Sequence, residues 1–278
     1  MNLRDKLNNI APIYYLNLDD RPDKREYMES QFDYWKIKDY NRVSTSRFTV
    51  RNYHEWKNDV ILKREVDYSQ INKNIGIPGE TNFSLRQACQ SLSYLNLVKD
   101  WLENTNDKYM IIMEDDYDLS MIEYWHFDWD YLMNNIPYDW DLIQLSFEPE
   151  KFFPCFLHPT TNRTGNGALL INRGYAKKIV RLHITSEGKC DISQKTGSYL
   201  WERSTSLSLA PDYIISKPGR CYSISLICLN PDLDTSGHEQ QDFKYYSRIR
   251  EIHYLWWKEL RDDYTLEEFF TYGKPHRD

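Results

Sequence analysis

The stretch Tyr109–Leu119, YMIIMEDDYDL, decides how this chain is read. Tyr109 to Met113 are apolar or aromatic and run without a break into Glu114, Asp115 and Asp116, with Asp118 one residue further on. A continuous apolar run of this length, bounded by polar residues, predicts a strand covered on both faces, as in a parallel sheet. The end of such a strand is where open α/β sheets hold their ligands. The carboxylates gathered there repel one another unless a cation or a set of hydrogen-bond donors compensates them. A divalent ion carrying a diphosphate is one compensation. A solvated acidic turn that caps the next element is the other reading.

Outward from that strand the pattern alternates. Pro12 to Leu18 (PIYYLNL) predicts a first strand. Asp19 and Asp20 follow as candidate caps, and Pro22 opens a helix on which Met28, Phe32 and Trp35 share one face. Residues 41 to 79 are polar and charged and predict partly irregular structure. Ser84 and Gln87 form a capping-box pattern ahead of Leu85, Ala88, Leu92, Leu95 and Leu102, which predicts the helix leading to Tyr109. Trp140–Ser146 and Gly167–Asn172 predict strands, Gly174–Leu182 a helix, and Lys244–Gly273 an amphipathic helical tail carrying Trp256, Trp257, Phe269 and Phe270. The expected fold class is α/β, a Rossmann-like and mostly parallel central sheet flanked by helices. With no Gly/Ser-rich linker, one domain over residues 1–278 is expected. Residues 12–150 would form a nucleotide-sugar-binding half, 151–243 an acceptor-side half, and 244–278 the tail.

Composition narrows the function. The 278 residues carry a net charge of −7, and no Lys/Arg cluster is dense enough for a phosphate-backbone footprint, so nucleic acid is excluded as a partner. No apolar stretch reaches the length of a membrane span, and the N-terminal residues lack a signal-peptide core, so a cytoplasmic location is expected. The five cysteines are odd in number and none has C-x-x-C spacing, which predicts reduced thiols rather than disulfides or a zinc site. Sequons at Asn82 and Asn162 carry little weight without a secretion signal. Aromatics make up 15%, with 22 tyrosines. Flat faces with polar edges suit sugar rings and ordinary cores alike.

Several motifs bear on chemistry. In the acid cluster, Asp116 is common to E-x-D (Glu114–Asp116) and D-x-D (Asp116–Asp118). Carboxylate oxygens of this kind suit Mn²⁺ or Mg²⁺. Asp116 and Asp118 are the expected ligands, with Glu114 and Asp115 beside the nucleotide. In NLDDRPDKRE, Asn17, Leu18 and Asp19 would meet base or ribose, and Arg21 or Arg25 a phosphate, whose oxygens match the planar guanidinium fork. A capped, charged helix start explains the same residues without a ligand. Gly165 and Gly167, ahead of a strand, allow either close approach of a ligand or a plain turn. In PDLDTSGH, His238 could add a nitrogen ligand to a metal or stand as a surface histidine.

Taken in order, YYLNLDDRPDKRE, LRQACQSLSYLNLVKDW, MIIMEDDYDLS, WDLIQLS and GNGALLINRGYAKKI make the chain similar to glycosyltransferase family 25, the lipopolysaccharide-biosynthesis and procollagen galactosyltransferase type. The matching pieces cover about residues 12 to 182. The resemblance implies a GT-A fold, a UDP-sugar donor with Mn²⁺, a glycan or glycoprotein acceptor, and inversion at the anomeric carbon. Leu92 stands where that family carries His, and the residues after 182 match poorly. The Tyr- and Asn-rich composition also resembles sugar transferases of large DNA viruses, which would place the protein in the host cytoplasm. Inversion requires a carboxylate to take the acceptor's proton. By chain position the candidates are Asp191 and Glu202. Two other functions fit the same residues: a metal-dependent nucleotidyltransferase or phosphohydrolase, and an inactive glycan-binding scaffold.

Overall fold

The structure is a computed structural model that describes residues 2–45, 60–61, 80–146, 155–159, 167–192, 211–216, 218–233 and 240–271. Its strands are β1 (Ile13–Leu18), β2 (Tyr40–Thr45), β3 (Val60–Ile61), β4 (Tyr109–Glu114), β5 (Tyr117–Asp118), β6 (Leu142–Gln144), β7 (His158–Pro159), β8 (Ala168–Asn172), β9 (Cys190–Asp191), β10 (Cys221–Ser223) and β11 (Cys228–Leu229). Its α-helices are α1 (Pro22–Tyr34), α2 (Glu80–Asn104), α3 (Trp129–Asn135), α4 (Arg173–His183), α5 (Pro211–Ser216), α6 (Gln240–Leu255) and α7 (Leu266–Phe270). Two compact units are formed. The first comprises Met1–Ser44, Tyr109–Asn172 and Arg220–Asp278; the second comprises Thr45–Lys108 and Arg173–Gly219.

The first unit is built on a seven-stranded sheet in the order β2-β1-β4-β8-β6-β10-β7. Strands β1, β4, β6 and β10 run one way; β8, between β4 and β6, and β7, at the edge, run the other. The sheet is mixed, mostly parallel, and the fold is α/β. The YMIIM run reports burial, not direction: Met110, Ile111 and Ile112 are fully buried, yet β4 is parallel to β1 and antiparallel to β8. A central strand covered on both faces needs apolar side chains on both, whichever way its neighbours run.

Two caps differ from the sequence reading. Helix α1 has Arg21 at its N-cap with no side-chain cap bond, and Asp19 accepts from Arg42 and Ser44 instead. Helix α2 begins at Glu80, so Ser84 lies inside it rather than at its start. The expected face of α1 is buried: Met28, Phe32 and Trp35 are at most 3% exposed. Much of the aromatic content serves the core. Trp125, Phe127, Trp129, Trp256, Trp257, Phe269 and Phe270 pack together in one apolar cluster, with ring centroids 5.2–6.2 Å apart around Phe127 and Trp257. The tail that carries four of these rings runs from α6 through a π-turn, Trp256–Leu260, to α7.

In the second unit, α2 packs on α4 and α5, burying Leu92, Leu95, Val98 and Trp101 and, on α4, Tyr175, Ala176 and Ile179. Arg173 closes the end of α2: its guanidinium donates to the carbonyls of Leu102 and Thr105 at 2.9 and 2.7 Å and lies over the Trp101 ring. Those carbonyls are the groups a helix C-terminus leaves without partners. Strand β3 pairs with β9 in parallel. Cys89, Cys155 and Cys228 are reduced thiols, as the spacing of the cysteines predicts. Among the described residues, no helix is long and apolar enough to cross a membrane.

Candidate functional site

Because β1 and β4 are parallel neighbours, with Leu16 opposite Glu114, the residues that follow both strands leave the sheet at the same edge. Asn17, Leu18 and Asp19 thus stand beside Asp115 and Asp116. Asn17, 1% exposed, donates to Asp115 Oδ2 at 2.7 Å and to the Arg21 carbonyl at 3.1 Å. Its own oxygen accepts from Arg42 Nε at 2.8 Å. Arg42 also pairs with Asp19 at 2.7 Å. The Ser44 hydroxyl and then Arg42 hold the exposed Asp19 carboxyl below the usual carboxylate range. The turn after the first strand and the acid turn form one hydrogen-bonded network.

The carboxylates are compensated by the protein's own groups. Lys24 Nζ sits 2.7 Å from Asp116 Oδ2 and 3.3 Å from Asp115 Oδ1, and all three residues are at most 8% exposed. Burial pulls the Lys24 ammonium down, but the two carboxylates outweigh it, and its pKa lies above the usual lysine value. Asp118 begins the way out: β5 pairs antiparallel with β11, and Asp118 accepts from Arg250 Nη2 at 2.7 Å and from the Ser120 backbone N–H at 2.8 Å. The Asp116 carbonyl takes the Asn230 N–H at 2.6 Å, and Arg250 also reaches Asp232.

Arg21 and Arg25, expected near phosphate, are engaged locally. Arg21 forms a two-pronged pair with Asp23 and donates to the Leu233 carbonyl; Arg25 pairs with Glu29 one helical turn along. Gly167 has a packing reason. A Cβ there would run into the Tyr117 ring, which is itself buried, and the Gly167 carbonyl accepts the Glu114 N–H at 2.7 Å. Asp191 lies in the second unit, on β9, where its carbonyl meets His183 Nδ1 at 3.0 Å. Glu202, His238 and Gly165 lie outside the described residues.

By element type, the oxygens of Asp115, Asp116 and Asp118 suit Mn²⁺ or Mg²⁺. As arranged they do not fit one. Asp115 and Asp116 share a lysine, Asp118 is held by an arginine, and among the described residues no three His, Cys, Asp or Glu side chains converge.

Lys24, Arg42 and Arg250 are the cations that the sequence reading did not place here. Lys24 carried a signal. It is the third residue of α1, in the first turn, where the helix dipole disfavours a cation, so its position requires a compensating partner. Arg42 and Arg250 carried none, since they meet Asp19 and Asp118 across 23 and 132 residues of chain.

No protein-family model and no curated protein sequence matches the chain. Among solved structures it is similar to the crystal structure of A197 from STIV, at 9% identity and a TM-score of 0.38, over 79% of this chain and 84% of that one. A likeness at this level identifies neither family nor function.

Proposed function

We propose that the chain is a glycosyltransferase that takes a sugar from a nucleotide-diphosphate donor, a UDP-sugar, and passes it to a glycan or glycoprotein acceptor. The observation that carries this is the network at the shared edge of β1 and β4, in which Asn17 joins Arg42 to Asp115. The edge of an α/β sheet beyond its strand ends is where nucleotides bind. Asp19 is exposed, ionised and fixed by Arg42 and Ser44, as an acceptor for ribose hydroxyls would be. The order of the five sequence pieces supports the same reading. Transfer with inversion would require one carboxylate to take the acceptor's proton. Glu202 and Asp191 are the candidates offered by chain position.

The test is to incubate the protein with UDP-glucose, UDP-galactose and UDP-xylose and to follow UDP release and glycoside formation. A donor that binds the folded form must also raise the melting temperature. The expected result is UDP release that increases with a glycan acceptor and falls in Asp19→Asn. Failure of every UDP-sugar to shift the melting temperature or to yield UDP would refute the proposal. Hydrolysis with no acceptor dependence would point to a phosphohydrolase.

A further inference from the structure

The family resemblance implies a divalent ion at the acid cluster, and the cluster holds a lysine. Lys24 is fixed by the first turn of α1, faces Asp115 and Asp116 together, and is 6% exposed. An ion bound by those two carboxylates would have to displace its ammonium. An ammonium has three N–H groups. Lys24 donates to Asp116 Oδ2 at 2.7 Å and pairs with Asp115 Oδ1 at 3.3 Å, two contacts for three N–H groups. Asn17 and Arg250 fix the outer oxygens of Asp115 and Asp118, so these side chains are not poised to swing toward an incoming ion.

We infer that Lys24 takes the place of a divalent cation in this cluster, balancing Asp115 and Asp116 and offering its remaining N–H to the donor diphosphate, so that nucleotide binding is independent of divalent metal. This rests on the nucleotide-sugar reading for its ligand but not for its cation. An ammonium is a point charge able to bind phosphate. Held by two carboxylates, it is pre-oriented and needs no recruitment from solution.

The experiment uses the full chain, with Mn²⁺ binding followed by electron paramagnetic resonance and UDP binding by calorimetry, each in EDTA-treated and Mn²⁺-supplemented buffer. The expected results are no stoichiometric Mn²⁺ on the native protein and equal UDP affinity in both buffers. Lys24→Met should weaken UDP in EDTA at least about tenfold, the factor given by roughly 1.4 kcal/mol. It should also acquire Mn²⁺ binding that Lys24→Met/Asp116→Asn loses again. Lys24→Gln, which also removes the charge, should gain Mn²⁺ in the same way and decides the matter if Lys24→Met does not fold, whereas Lys24→Arg, which keeps the charge, should bind none. One Mn²⁺ retained by the native protein and lost in Asp116→Asn, or UDP binding that requires Mn²⁺, would overturn the inference and leave the transferase reading standing. UDP that binds in neither buffer would overturn the donor reading and, with it, the phosphate role of Lys24. Mn²⁺ binding would then still decide whether Lys24 keeps metal out.

Discussion

Replacing Lys24 by methionine removes one charge and little volume from the most tightly compensated part of the molecule. At an effective dielectric of about 20, ion pairs at 2.7 and 3.3 Å are worth roughly 6 and 5 kcal/mol before desolvation. Desolvating the ammonium and two carboxylates consumes several kcal/mol each, so the net stabilisation is far smaller than that sum. Removal of one partner alone leaves the carboxylates buried and facing each other, and such a loss costs about 3–5 kcal/mol. For a chain of this size that lowers the melting temperature on the order of 10 °C. Calorimetric or urea unfolding of native and variant protein at pH 7 measures the loss, and Lys24→Met/Asp116→Asn, which removes one of the uncompensated charges, should recover part of it. A variant that melts within a degree or two of the native protein at pH 7 would refute the buried-pair argument.

Gly167→Ala should destabilise by about 1–3 kcal/mol, because the new methyl meets the buried Tyr117 ring; urea midpoints measure this, and an unchanged midpoint would show that the ring yields freely. Arg250→Ala leaves Asp118, 4% exposed, without its cation and should cost about 1.5–3 kcal/mol, read from the same midpoints. His253 is buried beside Ser225, and that burial lowers its pKa to about 4. The unfolded chain protonates this group near pH 6.5 and the folded one only near 4, so folding stability is intact above about 6.5 and falls as the pH drops through that window, by up to about 1.4 kcal/mol per unit. His253→Gln should flatten that part of the stability profile, and an unchanged slope would assign it to other groups.

The strands at Ile13–Leu18 and Tyr109–Glu114, the helix face of Met28, Phe32 and Trp35, and the burial of the tail's tryptophans and phenylalanines were legible in the sequence. Each depends on apolar spacing along a short segment, and burial of apolar surface enforces that spacing wherever the segment packs. The sequence likewise placed acids at a strand end and required that something compensate them. Tertiary structure alone decided what does. Strand pairing brought Asn17 to Asp115, the first turn of α1 brought Lys24 to Asp116, and α6 brought Arg250 to Asp118. It also set β8 antiparallel between β4 and β6. The reason is physical: hydrophobic patterning constrains which face of a segment is covered, whereas ion pairs and strand direction depend on which distant segments meet, and no local periodicity encodes that meeting.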